Sequence, residues 1–277
     1  MSIKIITLIE NIKDDKGKLI NEHGLSLYIE AYGKKILFDT GQTGDFVYNS
    51  EKLGVSLNNL DYVLMSHGHY DHTGGFRKLV ENSDKKFELI LGRSFFNKKY
   101  KTVEDGYKFN GNSFDEDFIK ENNIGLKYVD ESFKIDENME IFSQFKTSNN
   151  FEILNKKFLI KKGNEYISDE FYDEIVLTIK SDKGLIVVVG CSHIGIVNIL
   201  EHISNETKMP IYAVIGGSHL AQGDKNRINK TIEYLKKKKV SLIRLCHCTG
   251  EIAIKELDKS FKSEFKYNNT GNIIEIE

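Results

Sequence analysis

The stretch His67-Gly68-His69-Tyr70-Asp71-His72 places three imidazoles and one carboxylate within six consecutive positions. Imidazole is a common ligand of zinc and related divalent ions, and carboxylate oxygens suit the same ions. Alternate side chains of an extended segment point the same way, so His67 and His69 can face one ion. Asp71 and His72 can then face a second ion one step along. Because this density of ligand-type residues serves no packing purpose, it predicts a site for one or two divalent cations.

The histidine-rich stretch lies between a predicted strand and a predicted helix. Residues 62–66 form a short apolar run that is typical of a buried strand. Residues 74–82 are predicted to be helical, because Phe76, Leu79 and Val80 recur at helical spacing after two glycines. The motif therefore follows a strand end, which is where ligand sites of α/β folds lie.

The same alternation of strands, polar clusters and helices continues along the chain. Residues 175–179 and 185–189 are β-branched runs around a turn-like segment at 181–184, which predicts a hairpin. Further strands are predicted at residues 3–9, 26–29, 35–38, 87–91, 211–215 and 242–245, and helices at 194–203 and 226–238. Because the sequence shows no linker or repeat, we expect one α/β domain over residues 1–277.

The composition gives no reason to expect nucleic acid or a membrane as a partner. The 277 residues carry 39 Lys and Arg against 41 Asp and Glu, a net charge of -2. The longest apolar runs are far shorter than the roughly 20 residues that a bilayer requires. The N-terminal residues are typical of a first strand rather than of a signal peptide. Three cysteines, Cys191, Cys246 and Cys248, favour free thiols in a reducing compartment, the cytoplasm.

Residues 94–172 differ in composition from the rest of the chain. They hold 16 of the 30 aromatic residues and no histidine. Because aromatic side chains are usually buried, the range is predicted to be an irregular insertion with its own small aromatic core. A compatible interpretation is a cap that walls one side of the site and stacks a flat substrate, such as a pterin or a nucleobase.

The motif H-x-H-x-D-H after a strand resembles the metallo-β-lactamase superfamily, and the upstream Asp39-Thr40-Gly41 matches that superfamily's preceding strand motif. The resemblance spans nearly the whole chain and implies an α/β (α+β) fold, a four-layer αββα sandwich with a dinuclear site at one edge. Three downstream segments resemble the branch of the archaeal dihydropterin-6-methyl-aminobenzene-ribofuranosyl phosphate synthase. They are residues 190–198, beginning Gly-Cys-Ser-His, residues 216–220, Gly-Gly-Ser-His-Leu, and residues 247–250, His-Cys-Thr-Gly.

The resemblance also implies a ligand set. The first metal is expected to bind His67 and His69, and the second Asp71, His72 and His247. Asp39 is expected to support the metal site, chiefly without binding the metal itself.

The chain departs from the usual superfamily pattern between these ligands. It lacks a histidine between Thr73 and Ser192, so His193 is the candidate for the remaining ligand of the first metal. Cys191 stands where a bridging aspartate is usual, and it is either a thiolate ligand or a small buried residue. Asp173 or Glu174 could instead reach the site from the neighbouring strand.

Several further residues are candidates for catalysis or substrate binding. His219 could contact substrate, donate a proton or bind metal, and Asp71 could move protons as well as bind metal. Ser218, beside His219, is a candidate for substrate binding. Arg93 and Ser94 follow a predicted strand and are candidates for an anion contact.

Four other residues that carry ligand-type side chains are given no role in the site. His23 and His202 are isolated in the sequence. Cys246 and Cys248 would alternate with His247 in an extended segment, so packing is the predicted role of both thiols.

These residues predict a hydrolase that uses water activated by one or two divalent ions, with zinc first and manganese or iron as alternatives. A phosphoester or cyclic ester of a small molecule fits this chemistry, and a phosphorylated or pterin-like substrate is expected. One alternative is the transferase or synthase chemistry that the resembled branch implies. Another is a non-catalytic binder that uses its metal to hold a ligand.

Overall fold

The structure is a computed structural model that describes residues 2–84 and 86–277. Numbered along the chain, its strands are β1 (Ile3–Ile9), β2 (Ser26–Ala31), β3 (Lys34–Phe38), β4 (Tyr62–Met65), β5 (Glu88–Gly92), β6 (Lys99–Val103), β7 (Gly106–Phe109), β8 (Gly125–Val129), β9 (Ser132–Lys134), β10 (Met139–Ser143), β11 (Phe158–Lys162), β12 (Glu165–Ser168), β13 (Ile175–Ser181), β14 (Gly184–Val189), β15 (Ile211–Gly217), β16 (Leu242–Cys246) and β17 (Ile273–Ile276). The α-helices are α1 (Phe46–Lys52), α2 (Tyr70–Thr73), α3 (Phe76–Asn82), α4 (Glu116–Glu121), α5 (Ile196–Thr207), α6 (Lys225–Lys237) and α7 (Glu251–Ser260). Short 3-10 turns span Leu220–Gln222 and His247–Thr249.

Two large mixed sheets form the centre of the structure. The first has the strand order β17-β1-β2-β3-β4-β5-β8, and the second has the order β16-β15-β14-β13-β10-β9. In the first sheet β3, β4, β5 and β8 run parallel. In the second sheet β14, β15 and β16 run parallel. Since parallel strands end at the same edge, the loops that follow them are brought together.

The inner faces of the two sheets pack against each other. Leu64 and Ile90 of the first sheet share one buried cluster with Leu177, Val188 and Ile215 of the second. Alternate residues of the same strands point to the opposite faces. Because both faces of each sheet are covered, these strands are nearly continuous apolar runs rather than alternating ones.

Helices cover the two outer faces and complete four layers. On the first sheet, Phe76 of α3 packs in a cluster with Val63 and Met65 of β4. On the second sheet, Leu200 of α5 packs in a cluster with Val187 of β14, and α6 and α7 join the same layer. The α/β (α+β) four-layer αββα sandwich is therefore confirmed. None of the helices in the described ranges is long and apolar enough to cross a bilayer.

The aromatic-rich range 94–172 is divided among three sheets, which corrects its interpretation as one insertion. Strand β8 belongs to the first large sheet, and β9 and β10 belong to the second. Only β6, β7, β11 and β12 form a separate small sheet, in the order β12-β11-β6-β7. Several aromatic side chains join the main cores instead of a separate one, among them Phe95 and Phe114 under the first sheet and Phe142 under the second. The composition sets the range apart, but β8 and β10 pair with strands outside it, β5 and β13.

Candidate metal centre

The predicted ligands lie in loops that follow strands of both sheets, at one edge of the sandwich. Strand β3 leads to Asp39, and β4 leads to the histidine-rich stretch. In the second sheet β14 precedes His193, β15 precedes His219 and β16 precedes His247. The tertiary structure therefore gathers side chains that are up to 208 positions apart in the chain, from Asp39 to His247.

His67, His69 and His193 form what we call the histidine cluster. His67 Nε2 lies 3.0 Å from His69 Nδ1 and 3.2 Å from His193 Nε2. A tetrahedral ion with Zn–N bonds of 2.0–2.1 Å needs nitrogens roughly 3.4 Å apart, so the spacing fits such an ion. Burial and the neighbouring histidines lower the pKa of all three imidazoles. They therefore stay neutral at pH 7, as metal ligands must.

The hydrogen bonds of Ser66 decide which nitrogen of His67 faces the cluster. Ser66 Oγ donates its single hydrogen to Asp39 Oδ2 at 2.7 Å, so it accepts from His67 Nδ1–H at 2.9 Å. The lone pair of His67 then lies on Nε2, which is the nitrogen that faces His69 and His193.

Asp71, His72 and His247 form what we call the aspartate cluster. Asp71 Oδ2 lies 3.3 Å from His247 Nε2 and 3.8 Å from His72 Nε2. Burial lowers the pKa of His247, but the hydrogen bond and charge of Asp71, with nearby anions, outweigh it and raise that pKa to about 9. Without a metal, a proton on His247 thus occupies the place where a cation fits. This cluster favours positive charge, whereas the histidine cluster disfavours it.

Asp39 supports the aspartate cluster through His72. Its carboxylate oxygens accept hydrogen bonds from Ser66 and His72. Its carboxylate accepts from Ser66 N at 2.7 Å and from His72 Nδ1 at 2.6 Å. These bonds direct His72 Nε2 toward Asp71 and raise the basicity of that nitrogen. The structure therefore places Asp39 as the residue that orients His72.

Three buried carboxylates anchor the loops that carry the ligands. Asp173 Oδ2 accepts from Gly68 N at 2.8 Å, Glu174 Oε1 from His193 N at 2.7 Å, and Glu10 Oε1 from His247 N at 2.7 Å. The alternative that Asp173 or Glu174 supplies a metal ligand is therefore not favoured, because both bind backbone N–H groups. Burial raises the pKa of Glu174 to about 8 and also raises that of Glu10.

Lys99 neutralises one of these buried carboxylates, Asp173. Its Nζ lies 2.8 Å from Asp173 Oδ1 and 2.6 Å from Asp169 Oδ2, and all three side chains are buried. An unpaired charge at this depth would be strongly unfavourable. The local sequence does not indicate this triad, since Lys99 begins the largely polar strand β6 and a lysine there carries no signal of burial.

Two residues that were given no role in the site lie beside the clusters. His23 Nε2 is 3.3 Å from Asp71 Oδ2. Cys248 Sγ faces the cavity near Cys191 and His219. The extended segment assumed for Cys248 is wrong, because residues 247–249 form a 3-10 turn, and this thiol lines the cavity and does not only pack. The packing role predicted for Cys246 is confirmed, since its thiol lies in the inner core.

Three predicted substrate-binding residues lie outside the cavity. Arg93 is exposed and pairs with Asp130, with Arg93 Nε 2.5 Å from Asp130 Oδ1. Ser94 is also exposed and takes a left-handed conformation in the turn after β5. Ser218 is fully buried and donates to Thr249 Oγ1 at 3.0 Å. The anion contact expected at Arg93 and Ser94 is therefore corrected, because that turn does not line the cavity.

A small cavity of about 110 Å³ opens onto both clusters. His69 and His193 line it from the histidine cluster, and Asp71 and His247 line it from the aspartate cluster. The remaining lining residues are His23, Tyr70, Lys101, Asn110, Phe158, Cys191, His219, Gln222 and Cys248. The fold and these clusters define a protein built to hold divalent cations at the base of a pocket.

Comparisons with known proteins agree with this architecture. The model of the metallo-β-lactamase superfamily matches residues 21–92. A Methanocaldococcus jannaschii protein named 7,8-dihydropterin-6-methyl-4-(beta-D-ribofuranosyl)-aminobenzene-5'-phosphate synthase is 34% identical over 291 residues, covering 99% of this chain and 97% of that protein. An uncharacterized protein of the same organism is 31% identical and covers 94% of this chain and 95% of its own length. The crystal structure of a metal-dependent hydrolase of the β-lactamase superfamily has a TM-score of 0.86 at 28% identity, with 99% of each chain covered.

The chain belongs to the metallo-β-lactamase superfamily, in the branch that contains this archaeal synthase. The superfamily fold implies binding of divalent metal ions, and the described donor groups fit such ions.

Proposed function

We propose that this protein is a metal-dependent hydrolase that cleaves a phosphoester or cyclic ester in a small molecule. The observation that carries the proposal is the shared cavity onto which the histidine and aspartate clusters both open. Divalent ions held there, zinc first with manganese or iron as alternatives, would lower the pKa of a water molecule to about 7 and polarise the oxygen of the ester under attack. The nitrogen and carboxylate donors suit these ions.

Asp71 is the residue that we assign to proton movement. It lines the cavity, and the side chain of the neighbouring His23 is exposed to solvent. The side of the ring that faces Asp71 is desolvated, which lowers the pKa of His23, so this imidazole is neutral at pH 7. Asp71 and His23 thus connect the cavity to solvent by a contact of 3.3 Å between Asp71 Oδ2 and His23 Nε2.

The position of Lys101 favours a substrate that carries an anionic group. Lys101 stands on β6 at the cavity, with its Nζ 5.9 Å from the ring centre of Phe158. The ion pairs among the described residues do not include Lys101, so its ammonium group is available to a phosphate. Lys101 thereby takes the role that the sequence suggested for Arg93. A cavity of about 110 Å³ holds a phosphate or ester group and not a whole nucleotide, so the rest of the substrate lies at the rim.

The experiment is a hydrolysis assay on protein that has been stripped of metal and reloaded with zinc, manganese or iron. We expect turnover of bis(p-nitrophenyl) phosphate or of a small lactone only after reloading. Lys101→Ala should raise KM for the phosphodiester about tenfold, the loss of about 1.4 kcal/mol of binding, with little change in kcat. Lys183→Ala, in the exposed turn between β13 and β14 and at the other end of β14 from Cys191, is the matched control. Reloaded protein that hydrolyses neither probe would contradict the proposal.

A second candidate is synthesis of a pterin compound, and the identity to the archaeal synthase over nearly the full length favours it. The rings of Tyr70 and Phe158 line the cavity and offer flat faces for a pterin, while Lys101 suits the phosphate that the relative's name contains. Incubation with a dihydropterin and a ribofuranosyl-aminobenzene phosphate separates the two candidates. A joined product supports the synthase, and release of hydrolysed phosphoester alone supports the hydrolase. Metal binding without either product supports a non-catalytic binder.

We also propose a cytoplasmic location. Cys191, Cys246 and Cys248 are free thiols, and reducing compartments keep thiols in that state. Fractionation of the native cells, followed by detection of the protein in each fraction, tests this location.

A further inference from the structure

A third group of side chains that could hold a metal ion adjoins the two clusters. The donor atoms of Cys191, His219 and Cys248 all lie within 4.8 Å of one another. The three residues follow the adjacent parallel strands β14, β15 and β16, so one sheet edge supplies the whole group. We call it the thiol cluster. Hydrolysis as proposed above requires none of its atoms.

His219 is the observation that indicates a missing ligand. Its side chain is only 6% exposed, and among the described residues the Cys248 thiol is the one partner within reach of its ring nitrogens. Buried polar atoms are nearly always paired, and each unpaired one costs about 1–3 kcal/mol. His219 also has a φ of 50°, which is rare for a residue with a side chain.

The surrounding backbone holds the two thiols against His219. The N–H of His219 donates to Cys248 Sγ at 3.2 Å, and Ser218 Oγ ties the two loops together through Thr249. A Cβ at position 217 would lie 2.7 Å from Cys248 Sγ, so glycine is required for this approach. The candidate substrate-binding residue Ser218 is thus a connector of the thiol cluster.

We propose that Cys191, His219 and Cys248 form a third cation site that binds a thiophilic divalent ion such as zinc. Two sulfurs with one imidazole are a donor set that selects zinc or iron over magnesium or calcium. Cys191 Sγ also lies 3.1 Å from His72 Nε2, so Cys191 links this site to the aspartate cluster. Of the three roles open to His219, this geometry selects metal ligation.

The test is an anaerobic titration of metal-stripped protein with Co²⁺, followed by desalting and metal analysis. The unaltered protein should retain three ions per chain and gain a sulfur-to-cobalt charge-transfer absorption in the near ultraviolet. Cys248→Ser and His219→Ala should each retain two ions, and Cys248→Ser should lose part of that absorption. Cys246→Ser is the matched control, since its thiol lies in the inner core, and it should retain three.

Two results would overturn the third site. One is saturation of the unaltered protein at two ions, and the other is an unchanged ion count in both variants. Circular dichroism identifies a variant that fails to fold. If Cys248→Ser fails to fold, the ion count of His219→Ala tests the third site. Because the readout is metal content and absorption, failure of the hydrolysis proposal would leave this result unaffected.

Discussion

The histidine cluster and the aspartate cluster share one cavity but bind cations by different physics. His67, His69 and His193 offer neutral lone pairs, because burial prevents their protonation. Asp71 offers negative charge, and it holds a proton on His247 when no metal is bound. A cation must therefore displace a proton from the aspartate cluster but not from the histidine cluster. Two adjacent sites that both contain histidines can therefore differ in the pH dependence of metal binding.

The largest expected effect comes from removing one donor of the histidine cluster. His69→Ala should release the ion of that cluster and lower hydrolysis by about 10³-fold, since the Lewis acid supplies several kcal/mol. Metal analysis and the phosphodiester assay measure both quantities. His202→Ala, which alters a half-buried histidine outside the site, is the control. Retention of full activity and metal by His69→Ala would show that the cluster is misassigned.

The loop of the histidine cluster should also depend on its buried charge support. Lys99→Met leaves Asp169 and Asp173 without their cation, so the free energy of unfolding should fall by about 3–5 kcal/mol. Arg93→Met, which breaks the exposed pair with Asp130, should cause a much smaller loss, because solvent screens that pair. Urea unfolding of the metal-stripped variants measures both. Equal losses would mean that burial of the triad has no energetic consequence.

The matching support of the aspartate cluster is Glu10, which accepts from the N–H of His247 at 2.7 Å. Glu10→Gln keeps the side-chain shape but removes the charge, so the affinity for the second metal should fall about 10- to 100-fold. Competition with a fluorescent chelator measures the two affinities separately. The first metal should be unaffected, and equal weakening of both would contradict the independence of the clusters.

The smallest effect is on the pH dependence of stability. A histidine whose folded-state pKa is lowered binds its proton first in the unfolded chain, so stability is lost as pH falls through about 6.5. Between pH 7 and pH 5.5, metal-stripped protein should therefore lose about 1 kcal/mol more than His193→Asn does. Denaturant melts at the two pH values measure this difference. An identical loss in the two proteins would mean that His193 is not held neutral.

The local sequence was enough to predict the central strands and to bring four of the proposed metal donors into one short motif. The predicted strand at residues 3–9 coincides with β1, and the predicted hairpin is the antiparallel pair β13 and β14. Helices predicted at 194–203 and 226–238 correspond to α5 and α6 with shifted ends. The strands are apolar runs and the helices carry one apolar face, so the local pattern identifies both. The proposed donors His67, His69, Asp71 and His72 lie in one short motif, which makes their proximity a local property.

Other features depended on contacts between distant parts of the chain, and there the local pattern failed. Residues 94–172 looked like one insertion, yet their strands pair with both large sheets. Arg93 follows a strand as a site residue would, but its turn faces Asp130 and not the cavity.

The sequence by itself determined the chemistry of the site, because residue types and their spacing set which ions the donors can bind. Only the tertiary structure decided which thiol, lysine and carboxylates join that site. Cys248 enters because a 3-10 turn rotates it toward His219, and Lys101 enters because β6 pairs with β11 beside the cavity. Turn geometry and strand pairing arise from long-range packing, so the local sequence carries little signal for them.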